Sequence, residues 1–205
     1  MKTYKLLNVA ALAGVLLLAA CKDKNTVPEK TVNKSDSAVV NKRDGLSIYQ
    51  LDGKWVTQNN KTITLSDLKG KVQVIAMIFT HCRYACPKIV DDIQEIEAQI
   101  PVNMKGKVGY TLVTFDVDRD SVGQLKAFAK DEGLDSNWRL LRGDEEEVRE
   151  LSMLLDVNYE KLENGDFNHT SVITILDENG VKIHRHEGLE MDAKEMANRV
   201  VAAVK

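Results

Sequence analysis

Residues 72–87 constrain this chain more than any other stretch. Val72 to Phe79 is a nearly continuous apolar run, the pattern of a central strand covered on both faces. Thr80-His81-Cys82-Arg83-Tyr84-Ala85-Cys86-Pro87 follows at once, and an amphipathic run opens at Pro87. Proline is favoured at the first position of a helix, where its missing N–H is no loss. The spacing therefore predicts a strand, a loop bearing Cys82, and a helix with Cys86 as its N-cap. Both sulfurs then lie near the positive end of a helix dipole, which favours thiolate over thiol. A thiolate pair at a β–α junction can exchange electrons or hold a soft metal ion.

The other cysteine of the chain is spoken for by its surroundings. Lys2 and Lys5 are followed by an apolar run, Leu6 to Ala20, that fits a secretory leader better than a membrane span. It ends Leu18-Ala19-Ala20-Cys21, which resembles a bacterial lipobox. Residues 1–20 are expected to be a lipoprotein signal peptide, with Cys21 the lipidated first residue of the mature chain. Residues 22–44 are polar, with Pro28 breaking any helix, and together with Cys21 they read as a lipidated, flexible tether. The domain would stand outside the cytoplasm, in the cell envelope, held to a bacterial membrane by lipid. Of three cysteines only Cys82 and Cys86 remain, so no other pair can staple the fold. As a purely structural clip they would close a very short loop and remove little unfolded-state entropy. With a net charge of −3 and no basic patch, nothing points to nucleic acid.

Residues 45–205 form one domain by length. Asp52-Gly53, between Ser47–Leu51 and Lys54–Thr57, predicts an N-terminal β-hairpin. Thr62–Leu65 reads as a short strand and Ser66 as the cap of a turn ending at Gly70. Ile89, Ile93, Ile96 and Ile100 recur at helical spacing. Val108–Phe115 is a second core strand, and Ser121–Glu132 is a helix stopped by Gly133. Arg139–Leu141 is a short strand, and Asp144 caps a further helix. Ser171–Leu176 and Val181–His186 are strands, and Met191–Val204 is a final helix. This alternation predicts an α/β domain with a mixed central sheet flanked by helices. Thiols on the first major helix, at the end of an early core strand, resemble the thioredoxin fold.

Three residues separate these thiols, where a standard thioredoxin has two, and no proline precedes a late strand. Asn168-His169-Thr170 occupies that place, so two sulfurs and an imidazole would converge. Thiolates favour Cu(I), and imidazole suits both copper states. A closed structural zinc site normally takes four protein ligands.

Phe79-Thr80-His81-Cys82-x3-Cys86-Pro87, then Thr114-Phe115-Asp116-Val117-Asp118-Arg119-Asp120-Ser121, then His169 before an apolar strand and Asp177-x-x-Gly180, resemble in order the motifs of the Sco/SenC family of membrane-anchored copper chaperones. The resemblance covers residues 45–205. It implies copper as cargo, with Cys82, Cys86 and His169 as ligands. It also implies delivery to the binuclear copper centre of cytochrome c oxidase or another copper-accepting protein, or reduction of that centre's cysteines. A thiol reductant would regenerate the pair, because a disulfide cannot take copper. His81 and Asp116 are assigned supporting roles beside the ligands. The alternative is a thiol–disulfide oxidoreductase of the envelope, with Cys82 attacking and Cys86 resolving. His184 and His186, two apart on a strand, read as part of a solvated edge.

Overall fold

The computed structural model describes residues 46–205. The proposed signal peptide, Cys21 and the whole tether of residues 21–44 lie outside the described residues. No helix among the described residues is long and apolar enough to cross a membrane.

Two parallel strands form the centre. β3 (Val72–Ile78) and β4 (Val108–Thr114) are buried along their whole length and pair in register from Val72↔Val108 to Ile78↔Thr114. β5 (Trp138–Arg142) continues the parallel set beside β4. Beyond it lies an antiparallel hairpin of β1 (Trp55–Thr57) and β2 (Thr62–Ile63). On the other side β8 (Val172–Leu176) pairs antiparallel with β3, and β9 (Lys182–Glu187) forms the edge. The order is β2-β1-β5-β4-β3-β8-β9. A separate two-stranded sheet joins β6 (Tyr159–Lys161) to β7 (Phe167–His169).

Helix α1 (Ala85–Gln99) buries Ile89, Val90, Ile93 and Ile96 and packs on β3, β8 and α4 (Ala193–Ala203). Full burial of each such side chain is worth about 1.5–3 kcal/mol. α2 (Val122–Asp131) lies on β5, with Ser121 accepting the Gln124 N–H at its start. Asp144 caps α3 (Glu145–Leu155), and Glu147 returns the bond to the Asp144 N–H.

Three local expectations are corrected. The N-terminal hairpin exists, but it joins β1 to β2 and does not turn at Asp52-Gly53. Ile48–Gln50 is instead a 3-10 turn, with Ser47 accepting the Tyr49 N–H. Gly53 answers a different need: Glu147 bonds the Lys54 N–H at 2.6 Å, and a Cβ on residue 53 would stand 2.9 Å from the Glu147 Cγ. The turn after β2 is capped by Thr64 with Asp67, not by Ser66. The first major helix starts at Ala85, with Tyr84 at the N-cap position, so Cys86 lies inside the first turn.

Gly109 leaves no room for a side chain. A Cβ there would lie 2.7 Å from the amide oxygen of Gln73, which is buried and bonded to Leu68 and Thr111. Gly109→Ala is therefore expected to lower stability by about 1–3 kcal/mol through overpacking. Urea unfolding should show a reduced midpoint with an unchanged m-value, and an unchanged midpoint would refute the packing argument.

Candidate metal centre

The thiol loop is fixed at its base. Phe79 ends the buried run, and its N–H points at the Cys86 sulfur, 3.5 Å away. The Cys86 N–H in turn donates to Cys82 Sγ at 3.3 Å. That contact explains where the helix begins: Cys82 from the loop does the capping that the sequence assigned to Cys86. Both cysteines are free thiols, Cys82 half-buried and Cys86 fully buried.

Burial and bonding divide the pair. The Cys86 side chain, donating to Cys82, is the main cause pulling the Cys82 thiol down to about 4. The backbone N–H groups of Cys86 and Tyr84 act in the same direction, against the cost of burial. The same bond pushes Cys86 far up, and its burial adds to this. Below its pKa Cys82 is a neutral thiol, and above it a thiolate. Cys82 is thus an anion at neutral pH while Cys86 keeps its proton.

His169 reaches the sulfurs from the end of β7. One ligand atom from each of Cys82, Cys86 and His169 lies within 4.8 Å of the other two. The ring is held by aromatic faces: Phe79 meets it edge-on at 5.9 Å between centroids, and Phe115 lies at 5.2 Å. Tyr159 stacks on Phe115, and Phe167 packs on both Phe79 and Phe115. His169 Nδ1 lies 3.2 Å from the Thr170 carbonyl. A carbonyl only accepts, so this bond places the proton on Nδ1 and leaves the Nε2 lone pair for coordination.

His81 and Asp116 do not join the sulfurs. Their ligand atoms gather instead with Asp120 in a second cluster. Asp120 is fully buried and accepts from the Thr80 N–H at 2.9 Å, the Thr80 hydroxyl at 2.5 Å and the Thr114 hydroxyl at 2.5 Å. His81 Nδ1 stands 3.4 Å from it. Asp116 pairs with Arg119, whose guanidinium covers the rings of Phe79 and Phe167. The cluster's acceptors are committed to these donors, so it braces the loop. His184 and His186 are half-buried on edge strand β9 and have no third ligand converging on them among the described residues.

Sequence reasoning missed the β6–β7 hairpin and the aromatic wall it carries. Asn164-Gly165 was the available signal, and Gly165 adopts φ +83°.

Fold and site together define a thioredoxin-like domain with a dithiol–imidazole centre. The SCO1/SenC family model matches residues 47–205, and the chain belongs to that family. A SCO1 protein homolog of Bacillus subtilis (strain 168) is 29% identical over 100 residues, 47% of this chain and 50% of that protein; the chain thus matches half the length of that relative. The structure of Bradyrhizobium japonicum ScoI with copper bound is 25% identical, with a TM-score of 0.64 over 74% of this chain and 96% of that one. A SCO1/SenC family lipoprotein from Bacillus anthracis str. Ames is also 25% identical, with a TM-score of 0.67 over 77% and 96%.

The division between the thiols is testable in the reduced, metal-free protein. Alkylation of Cys82 by iodoacetamide, followed by mass spectrometry, should hold a steady rate from neutral pH down toward about pH 5 and fall only as pH approaches 4. Cys86 should stay unmodified. A Cys82 rate that climbs through the ordinary thiol range, near pH 8–9, would contradict the account.

Proposed function

We propose that this protein carries copper on the Cys82 and Cys86 sulfurs and the His169 imidazole. We further propose that it passes copper to the binuclear site of a cytochrome c oxidase or to another copper-accepting protein. The observation that carries the reading is the convergence of two sulfurs and an imidazole nitrogen within 4.8 Å. Two soft donors and one borderline donor suit Cu(I), and a set of three falls short of the four that close a structural zinc site. The copper-bound Bradyrhizobium relative supports the same assignment. Cys82 offers a thiolate before metal arrives, and Cys86 must give up its proton on binding. Transfer would proceed by exchange of these ligands for donors of the acceptor.

We also propose that residues 1–20 are a cleaved leader, that Cys21 is lipidated and that residues 21–44 tether the domain of residues 45–205 to a membrane of the cell envelope. The lipoprotein from Bacillus anthracis supports this reading.

The unequal thiols favour a second reading, reduction of an acceptor's disulfide. The Cys82 thiolate would attack one sulfur of that disulfide, forming a mixed disulfide and releasing one acceptor thiolate. Cys86, on losing its proton, would attack Cys82 and release the second. The acceptor gains two electrons, the chain ends as a Cys82–Cys86 disulfide, and an external thiol reductant restores it.

Anaerobic titration of the reduced protein with Cu(I), against a competing chelator, should find one tightly bound ion per chain. His169→Ala should weaken binding by more than the roughly 10- to 100-fold that loss of an outer hydrogen-bond partner costs. Cys82→Ser should abolish tight binding. No binding by the wild type, or undiminished affinity in His169→Ala, would rule out the three-ligand site. Disulfide reduction that survives His169→Ala would leave the exchange reading standing alone.

A further inference from the structure

Arg119 bridges two parts of the fold that share no ladder hydrogen bond. The β6–β7 hairpin carries His169 at its end. Among the described residues no backbone hydrogen bond links that hairpin to the seven-stranded sheet. Its seat therefore depends on side chains that reach across. Two do so with charge, and both come from the loop after β4: Asp118 pairs with Lys161, and Arg119 lies against Phe167. The Asp118–Lys161 pair is exposed on both sides, and such pairs are worth little. The Arg119 side chain is only 33% exposed, and its partner Asp116 is fully buried.

The loop that holds Arg119 is firmly seated. The Asp116 N–H donates to the Thr114 hydroxyl oxygen at 3.0 Å, and the Asp120 N–H donates to the Asp116 carbonyl at 3.0 Å. From β5 the Arg142 guanidinium donates to the Val117 carbonyl at 2.9 Å. The Asp116 carboxylate accepts the Arg119 N–H at 3.3 Å and pairs with Arg119 Nε. The guanidinium thus leaves a fixed base with its first nitrogen already bound.

From that base the head spans the gap to the hairpin. Its central carbon lies 5.9 Å from the Phe79 ring centroid and 5.9 Å from that of Phe167. Phe79 follows β3, and Phe167 opens β7. A Cβ on Gly165, in the hairpin turn, would stand 3.6 Å from Arg119 Nη1, so the head also reaches the turn. Arg119 Nη2 is buried with no hydrogen-bond partner among the described residues. A buried donor left so is costly, and here the two ring faces meet the charge instead. Phe167 and His169 are two apart on one strand and so share a face. Both pack on Phe79 and Phe115. Holding Phe167 against Phe79 therefore holds the imidazole at the thiols.

We propose that Arg119 is a positioning residue for His169: its guanidinium clasps the hairpin to the end of β3 and so sets how much of the time the imidazole stands beside the sulfurs. Arg119 makes no hydrogen bond to Cys82, Cys86 or His169 among the described residues. It acts on metal only through His169. A residue that merely braced its own loop would disturb the thiols as well. The inference rests on the copper reading for its affinity measurement alone.

Two measurements on the reduced full chain test the clasp. The first needs no metal. In proton NMR spectra of the metal-free protein, the His169 ring signals are those absent from His169→Ala. Ring currents of Phe79 and Phe115 displace them from the position of a free histidine. Arg119→Gln should move them toward that position. Arg119→Lys keeps the charge and loses the planar fork, and should move them less. The second measurement is anaerobic Cu(I) titration against a chelator. Arg119→Gln should weaken binding about tenfold, the size of two cation–π contacts, and by less than His169→Ala does. Placed in the His169→Ala protein, the same substitution should change nothing further. The clasp is overturned by His169 signals that keep their wild-type positions, or by a Cu(I) loss that is nil or equal in both backgrounds. If urea unfolding shows that Arg119→Gln does not fold, Arg119→Lys is judged by the same two criteria. A wild type that binds no Cu(I) would sink the copper reading, and the ring signals would then decide on the clasp alone.

Discussion

The buried carboxylate of Asp120 is the contact on which the centre depends. A charge out of water is costly unless hydrogen bonds replace its hydration. Here Thr80 supplies both its N–H and its hydroxyl, and Thr114 supplies a second hydroxyl. Thr114 is the last residue of β4, and Thr80 stands just beyond β3. One carboxylate therefore ties together the ends of the two central strands and fixes the point from which the thiol loop departs. Phe79 then has its N–H aimed at Cys86, and the helix can begin at Ala85. The negative charge has a chemical effect as well. The Cys86 proton is retained first through its bond to Cys82 and through burial, and the repulsion from Asp120 adds to both.

The three donors arrive on two independent pieces of the fold. Cys82 and Cys86 belong to the β3–α1 junction, whereas His169 ends a hairpin outside the main sheet. No ladder hydrogen bond joins that hairpin to β3. The imidazole is placed by packing against Phe79 and Phe115, with the Arg119 guanidinium over Phe79 and Phe167. Aromatic contacts of this sort are worth about 0.5–1.5 kcal/mol each beyond the area they bury. They hold a ring in place less rigidly than a buried strand holds the thiols. For the copper transfer proposed above, a firmly placed sulfur pair and a more lightly placed imidazole would permit stepwise exchange of ligands.

Much of this was legible because it rests on local rules. The run Val72–Phe79 could only be a covered strand, and Ile89, Ile93 and Ile96 marked the buried side of α1. Ser121 and Asp144 behave as N-caps because a short oxygen-bearing side chain there meets the free N–H groups of a first turn. Expectations failed where a distant group settled the local choice. Proline preference put the helix start at Pro87, but the Cys82 sulfur satisfies the Cys86 N–H, so the helix gains residues before the proline. Asp52-Gly53 has the composition of a hairpin turn, yet the chain there is held by Glu147, some 90 residues on. The β6–β7 hairpin is half-exposed, and so lacks the apolar alternation that marks a strand over a core. His169 could be singled out by its place before the Val172–Leu176 strand. Its ring position could not, because the wall of Phe79, Phe115, Tyr159 and Phe167 is assembled from four segments that meet only after folding. Sequence therefore discloses the donors readily and the forces that aim them poorly: a donor is a property of one residue, and its direction is a property of everything packed around it.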